Sequence, residues 1–373
     1  MEELKLGAGA FGAVYLCVND QGEQAALKTE PVNTPHPLLV MEAHVMTKLD
    51  NLRDGDGKHF CRCLDLGRDE QKDQQSGQMK KFNYIVMSLV GRGLDGVVKD
   101  AGGRLSLGSA VGVSIQMLAG LRGLHTVGYL HRDIKPGNST IGRPESNEIR
   151  LLYLIDFGMA RKYTKDDGSQ HRPRAATNFR GSPRYAAISA HLGREYSRKD
   201  DIESWFYCMI ELFKGALPWS NIGEAKVKRQ KKQPEAVRRQ AIADLLSGCP
   251  NEFGQVLKYI DDMKYTDKPD YDWIIATLRS SLSNAGVQEF PTTGRRASAT
   301  RHRALEAEGA IVLEMVVQIY CEQGIEHDRK NIYLVAMSIR LLYQVYFRNG
   351  EEKLSNRNGK KKMKKTRIKQ KND

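Results

Sequence analysis

The sequence predicts an α+β fold in two lobes: a small antiparallel β-sheet lobe with one main helix, then a larger, mostly α-helical lobe. Three observations predict it. The first hundred residues hold short extended runs broken by glycines and by the turn signal Asn19-Asp20-Gln21-Gly22. Beyond Gly93 the apolar spacing becomes helical, with long runs at 107–125 and 201–214. The chain has 373 residues, 40% hydrophobic and 28% charged, which exceeds one small core yet stays within the soluble globular range.

Taken in order, Leu4-Lys5-Leu6 begins a strand that runs into a glycine-rich bend, and Ala13 to Val18 returns from it. Gln24 to Thr29 resumes the extended pattern. Leu38, Met41, Val45, Met46 and Leu49 stand at helical spacing after Pro35 and Pro37, so a helix is expected over 38–49. A polar loop over 68–81 should join two further strands, the second being Phe82-Asn83-Tyr84-Ile85-Val86-Met87. Shorter helical patterns continue to about residue 282. The expected organisation is a first lobe over about 1–90, a second over about 91–290, and a Thr/Ser/Arg/Pro-rich linker at 291–303. A helical extension at 304–347 and a basic, disordered tail at 348–373 complete it. In the extension, Ile332, Val335, Ala336, Ile339, Leu342, Tyr343 and Tyr346 form an apolar stripe expected to pack on the neighbouring segment 311–320, with a membrane-interfacial helix aided by the lysine tail as the alternative.

The net charge is +13, but +8 of it falls in 348–373, where 11 basic residues face 3 acidic ones. No aromatic residue interleaves with the lysines of 350–373, so specific nucleic-acid binding is not expected. Cys17, Cys61, Cys63, Cys208, Cys249 and Cys321 offer no zinc or redox spacing and read as reduced thiols. Met1-Glu2-Glu3 is unlike a signal peptide, and the apolar stretch 332–347 is too short to span a membrane comfortably. A cytoplasmic protein is the expectation, with a nuclear one as the alternative. The run Lys226-Val227-Lys228-Arg229-Gln230-Lys231-Lys232 reads as an exposed helix end, with a nuclear-import signal as the alternative.

The chemistry lies in separated motifs. Leu6-Gly7-Ala8-Gly9-Ala10-Phe11-Gly12 is followed by a strand and a turn, not by a helix. That is a hairpin whose glycines let backbone amides approach nucleotide phosphates. Lys28 on the next strand and Glu42 on the following helix have the order and spacing of a phosphate-binding lysine held by a glutamate. His131-Arg132-Asp133-Ile134-Lys135-Pro136-Gly137-Asn138 and Asp156-Phe157-Gly158 complete the set. Phosphoryl transfer from ATP needs Mg²⁺ and a group that orients the attacking hydroxyl. Asp133 suits the hydroxyl, mainly by positioning; Lys135 suits charge on the transferring group; Asn138 and Asp156 supply the oxygen ligands that Mg²⁺ takes.

These residues resemble the eukaryotic protein kinases. The finer pattern is similar to the casein kinase 1 superfamily and its tau-tubulin kinase-like branch, over about residues 4–290. It rests on 82–87 with Gly91-Arg92, Phe179-Arg180-Gly181-Ser182-Pro183-Arg184-Tyr185-Ala186, Asp200-Asp201-Ile202-Glu203-Ser204, Leu217-Pro218-Trp219 and Lys268-Pro269-Asp270-Tyr271. Ala187-Ile188-Ser189 replaces the usual Ala-Pro-Glu, itself a mark of that group. The resemblance implies a bilobal kinase fold, with adenine held near Val14, Ala26, Met87 and Leu89. It also implies serine/threonine specificity from Lys135, and an anchoring role for Asp201 beneath the catalytic loop. Expected partners are protein substrates with acidic or phosphorylated segments, cytoskeletal proteins as candidates, read by Arg180, Ser182 and Arg184, and acted on by a monomer. Three departures point to reduced activity or stability: Gly137 where Asp or Ser is usual, Ser139-Thr140 where an apolar pair is common, and Ser182 for Thr. The rival reading is a pseudokinase-like scaffold that binds partner proteins.

Overall fold

A computed structural model describes residues 5–9, 12–35, 37–52, 55–72, 78–220 and 235–289, all within one of the two units into which the chain divides, Met1–Gly294. The first lobe is an antiparallel sheet in the order β1-β2-β3-β5-β4: β1 Lys5–Gly9, β2 Gly12–Val18, β3 Gln24–Pro31, β4 Cys63–Lys72 and β5 Met79–Ser88. Asn19 builds the β2–β3 turn, its side-chain oxygen accepting from Gln21 N–H at 3.0 Å and Glu23 N–H at 2.9 Å. The register places Val14 and Ile85 opposite Lys28, and Met87 opposite Ala26. Cross-strand partners share a face, so Val14, Ala26, Lys28, Ile85 and Met87 line one side of the sheet.

Helix α1, Leu38–Leu49, has the expected bounds and buries Leu39, Glu42, Val45, Met46 and Leu49 along one stripe. The expected loop over 68–81 is a correction. Residues 68–72 and 79–81 are paired strand, with Asp69 opposite Phe82 and Lys72 opposite Met79. This ribbon is exposed on both faces, so its residues need no apolar alternation, and the period-2 signal is missing.

The second lobe holds α2 Leu94–Asp100, α3 Leu107–Thr126, α4 Ile188–His191, α5 Arg198–Lys214, α6 Glu235–Leu246, α7 Asn251–Asp262 and α8 Tyr271–Ala285. Two short antiparallel pairs accompany them: β6 Tyr129–Leu130 with β9 Arg161–Lys162, and β7 Ser139–Ile141 with β8 Leu152–Leu154. At 20 residues α3 is long and apolar enough to cross a membrane by length and composition, but most of it is buried within the lobe. It packs against α5 and α8, and Trp205 Nε1 of α5 donates to its Ser114 carbonyl at 2.8 Å. Helix α5 starts three residues before the expected 201, because Ser197 and Asp200 form a capping box.

The lobes join at Phe60. It bridges to Leu154 and its ring lies 5.8 Å from that of Phe157, while His59 Nδ1 is 2.8 Å from the Leu152 carbonyl oxygen. Among the described cysteines none is in a disulfide: Cys61 and Cys208 are buried, and Cys17, Cys63 and Cys249 are half-buried. Ala10 and Phe11 of the glycine-rich bend, the basic run 226–232, Cys321, the linker, the helical extension and the tail lie outside the described residues.

Candidate active site

The glycine-rich bend is the β1–β2 hairpin, with Gly9 opposite Gly12 and a register shift at Leu6. Gly12 has a steric reason: a Cβ there would stand 2.1 Å from the Thr29 carbonyl oxygen. At Gly7 a Cβ would meet nothing within 4 Å, so that stretch of backbone borders open space. Behind the hairpin, Lys28 Nζ reaches Glu42 Oε2 at 2.5 Å and Asp156 Oδ1 at 3.1 Å. Burial alone would lower the Lys28 pKa, but the Glu42 and Asp156 carboxylates outweigh it and raise it, so the ammonium stays charged. Burial pushes the Glu42 carboxyl up, partly offset by Lys28. Burial acts the same way on Asp156, but Lys28 prevails and holds its carboxyl below the usual range.

The candidate hydroxyl-orienting group sits across the cleft. Asp133 Oδ1 accepts from Ser182 N–H at 2.7 Å; Oδ2 accepts from Lys135 Nζ at 2.8 Å and from Asn138 Nδ2 at 3.2 Å. Lys135 Nζ also reaches Ser182 Oγ at 3.3 Å. Three donors thus fix one buried carboxylate in place. Asn138 commits its amide nitrogen to Asp133, to the carbonyl oxygen at 2.9 Å as well as to the side chain, so its oxygen is the atom left to act as a ligand.

Two backbones here are strained. Arg132 and Asp156 both have φ +67°, a conformation that costs about 1–3 kcal/mol for a non-glycine residue and persists only when its surroundings enforce it. For Arg132 the enforcing group is Asp201 of α5. Its Oδ1 accepts from Arg132 N–H at 2.9 Å and its Oδ2 from His131 N–H at 2.8 Å. His125 Nε2 lies 2.8 Å from the same Oδ2, and Tyr271 hydroxyl lies 2.6 Å from His125 Nδ1. Since the carboxylate takes the Nε2 proton, Nδ1 is the acceptor and Tyr271 donates to it.

Among the described residues no cluster of three His, Cys, Asp or Glu could cage a metal ion alone. One carboxylate and one amide oxygen, Asp156 and Asn138, instead match Mg²⁺, which keeps waters and shares substrate phosphates. The open backbone at Gly7 and the charged Lys28 fit a polyphosphate.

Residues 1–268 match the protein kinase domain family. The chain belongs to that family. A relative described as a probable serine/threonine-protein kinase, from Dictyostelium discoideum, is 35% identical over 287 residues, which cover 76% of this chain and 54% of the relative. This chain therefore spans about half the length of that curated relative.

Within the kinase domain, Ala26 and Met87 are buried neighbours across β3 and β5, Val14 and Leu89 pack against the same core, and Leu6 is exposed. The structure separates the two arginines expected to act together. Arg184 Nη1 pairs with Glu211 Oε1 at 3.3 Å and its Nη2 donates to the Ser220 carbonyl at 3.4 Å. Arg180 instead borders a small pocket with Arg132, Arg174 and Arg194, where Glu195 pairs with Arg174. Burial, then the positive charges of Arg161 and Arg180, lower the Arg132 pKa to about 10. Sequence reasoning missed the site role of Gly181. It has φ +96°, and a Cβ there would stand 2.4 Å from the Arg132 carbonyl oxygen. Only glycine lets this segment lie on the catalytic loop and present Ser182 N–H to Asp133.

The departures also change meaning. Gly137 is not required by space, since a Cβ would make only ordinary contacts with Asp95 and Lys135. Ser139 and Thr140 are buried, and among the described residues neither hydroxyl has a hydrogen-bond partner. A buried hydroxyl without a partner costs about 1–3 kcal/mol, so the isosteric Thr140→Val is expected to stabilise the domain by about 1 kcal/mol, read as a higher urea midpoint at unchanged slope.

Proposed function

We propose that the chain is a serine/threonine protein kinase that transfers the γ-phosphoryl group of ATP to hydroxyls of proteins. Asp133, held by Ser182, Lys135 and Asn138, is the observation that carries the reading. The three donors fix a carboxylate where an acceptor hydroxyl would arrive, next to oxygen ligands and a charged lysine. When bound, Mg²⁺ and ATP supply charge neutralisation and the phosphoryl donor. Lys28, held by Glu42, would bind the phosphates, and Asp156 and Asn138 would hold the metal. Asp133 would orient the hydroxyl and accept its proton, while Lys135 would offset charge on the phosphoryl oxygens. Radiolabel transfer to casein, tubulin and phospho-primed peptides, beside an Asp133→Asn control, tests it. ATP binding without transfer above that control would favour the scaffold reading.

The motifs at 179–186, 200–204 and 268–271 support placement in the casein kinase 1 superfamily, tau-tubulin kinase-like branch. The free thiols support a reducing compartment, cytoplasmic and nuclear. Preference for acidic or phosphorylated sites is supported by Arg180 and its neighbouring arginines; Arg184 is occupied by Glu211. Arg180→Ala is expected to cut the kcat/KM ratio of acidic over neutral peptides about tenfold, the scale of one charge-assisted hydrogen bond. Arg184→Ala should leave that ratio within about twofold, its guanidinium being neutralised already. Equal ratios for wild type and both variants would remove the arginines from substrate reading.

A further inference from the structure

Helix α1 carries Glu42, so the ion pair with Lys28 exists only if the helix stays at one height and one rotation against the sheet. Its own sequence does little to fix its start. The first turns of a helix have N–H groups without internal acceptors, normally met by a side-chain oxygen at the preceding residue. Here that residue is Pro37, which has no such oxygen, and no acidic residue stands in the first turn. The acceptor comes from the sheet. Glu30 Oε1 accepts from Leu38 N–H at 2.9 Å and from Leu39 N–H at 3.3 Å, and Oε2 accepts from Leu39 N–H at 3.3 Å.

Glu30 is only 2% exposed. Burying a carboxylate is costly unless its oxygens are satisfied, and a helix N-terminus supplies both N–H donors and favourable dipole charge. The strand period gives the rest. Glu30 lies two residues after Lys28 on β3, on the same face and about 6–7 Å along the strand. Glu42 lies three and four residues after Leu39 and Leu38, about 4.5–6 Å along the helix. Strand β3 therefore holds α1 at two points of matching separation: Lys28 grips Glu42, and Glu30 grips the helix start. Leu39, Val45, Met46 and Leu49 pack the helix into the core, and the two polar grips add a directional hold on its rotation and slide against β3.

We infer that Glu30 is a positioning residue for the nucleotide-phosphate site, acting through α1 on the Lys28–Glu42 pair. The inference rests on the reading of that pair as the phosphate-holding one. The test uses the full chain in five forms: wild type, Glu30→Gln, Glu30→Ala, Glu30→Ala with Pro37→Asp, and Lys28→Met. Two quantities are read, amide hydrogen exchange over 38–46 and the dissociation constant for ATP with Mg²⁺.

Loss of the cap in Glu30→Ala is expected to speed exchange at 38–46 about tenfold and to weaken ATP binding by about the same factor, with exchange across α3 unchanged. Glu30→Gln, which keeps one acceptor oxygen without the charge, should fall between. Pro37→Asp puts an acceptor back at the helix start from the helix's own side, and should return both quantities to within about threefold of wild type. Recovery of both quantities together would tie the ATP affinity to the helix start, and not to the Glu30 charge acting directly on the phosphates. Faster exchange with ATP affinity unchanged would overturn the inference, as would failure of Pro37→Asp to restore either quantity. If Lys28→Met bound ATP as wild type does, the phosphate-holding reading itself would fall and the inference with it. A weakened Lys28→Met beside an unaffected Glu30→Ala would overturn the inference alone.

Discussion

Asp133→Asn is expected to lower kcat about a thousandfold while leaving the KM for ATP within about twofold, measured as steady-state phosphate transfer to casein. Asparagine has nearly the same shape, so packing survives, but its two ends differ. In the native site Ser182 N–H donates to one carboxylate oxygen, and Lys135 and Asn138 donate to the other. An amide satisfies one side only; its NH₂ group must point at a donor on the other side. The loop is then pushed from the geometry that Asp133 holds, and the side chain can no longer accept the proton of an incoming hydroxyl. Lys28, Glu42 and Asp156 are untouched, which is why nucleotide affinity should hold. An unchanged kcat would exclude Asp133 from the chemistry.

Asp201→Ala should have the largest effect on stability, about 3–5 kcal/mol. It removes the fully buried carboxylate to which His131 N–H, Arg132 N–H and His125 Nε2 are all bonded. Relaxation is also favoured, because Arg132 at φ +67° loses the bond that enforces its conformation. Chemical denaturation should show a lower midpoint, and transfer should fall with it because Asp133 is the next residue. Asp201→Asn keeps one acceptor oxygen and should cost less than half as much. Equal losses in the two variants would mean that the hydrogen bonds do not carry the effect.

The parts of the site that were legible in sequence are those whose chemistry fixes both residue type and spacing. The glycine-rich hairpin, Lys28, Glu42, the run from His131 to Asn138 and Asp156 all needed only order along the chain. So did α1 and α3, whose apolar stripes repeat at helical spacing. The capping box at Ser197 and Asp200 is also written in the sequence, and it sets the start of α5 three residues ahead of the point where the apolar run begins. Other features have no local signature. Glu30 looks like any strand glutamate until α1 folds back over β3 and brings Leu38 to it. The pairing of Arg184 with Glu211 joins an activation-segment residue to the far end of α5, so the sequence displayed the arginine without its neutralising partner. The β4–β5 ribbon carries no strand signal because exposure on both faces erases the alternation that marks a half-buried strand.

At Gly181 the activation segment lies against the Arg132 carbonyl with no room for even one carbon. In genetic terms the position has a single permitted letter. Every missense change at that codon adds at least a Cβ to a backbone at φ +96°, and so lifts Ser182 away from Asp133. An allele carrying any of them should behave as a loss of function while leaving the core, and hence the amount of folded protein in a cell, nearly intact.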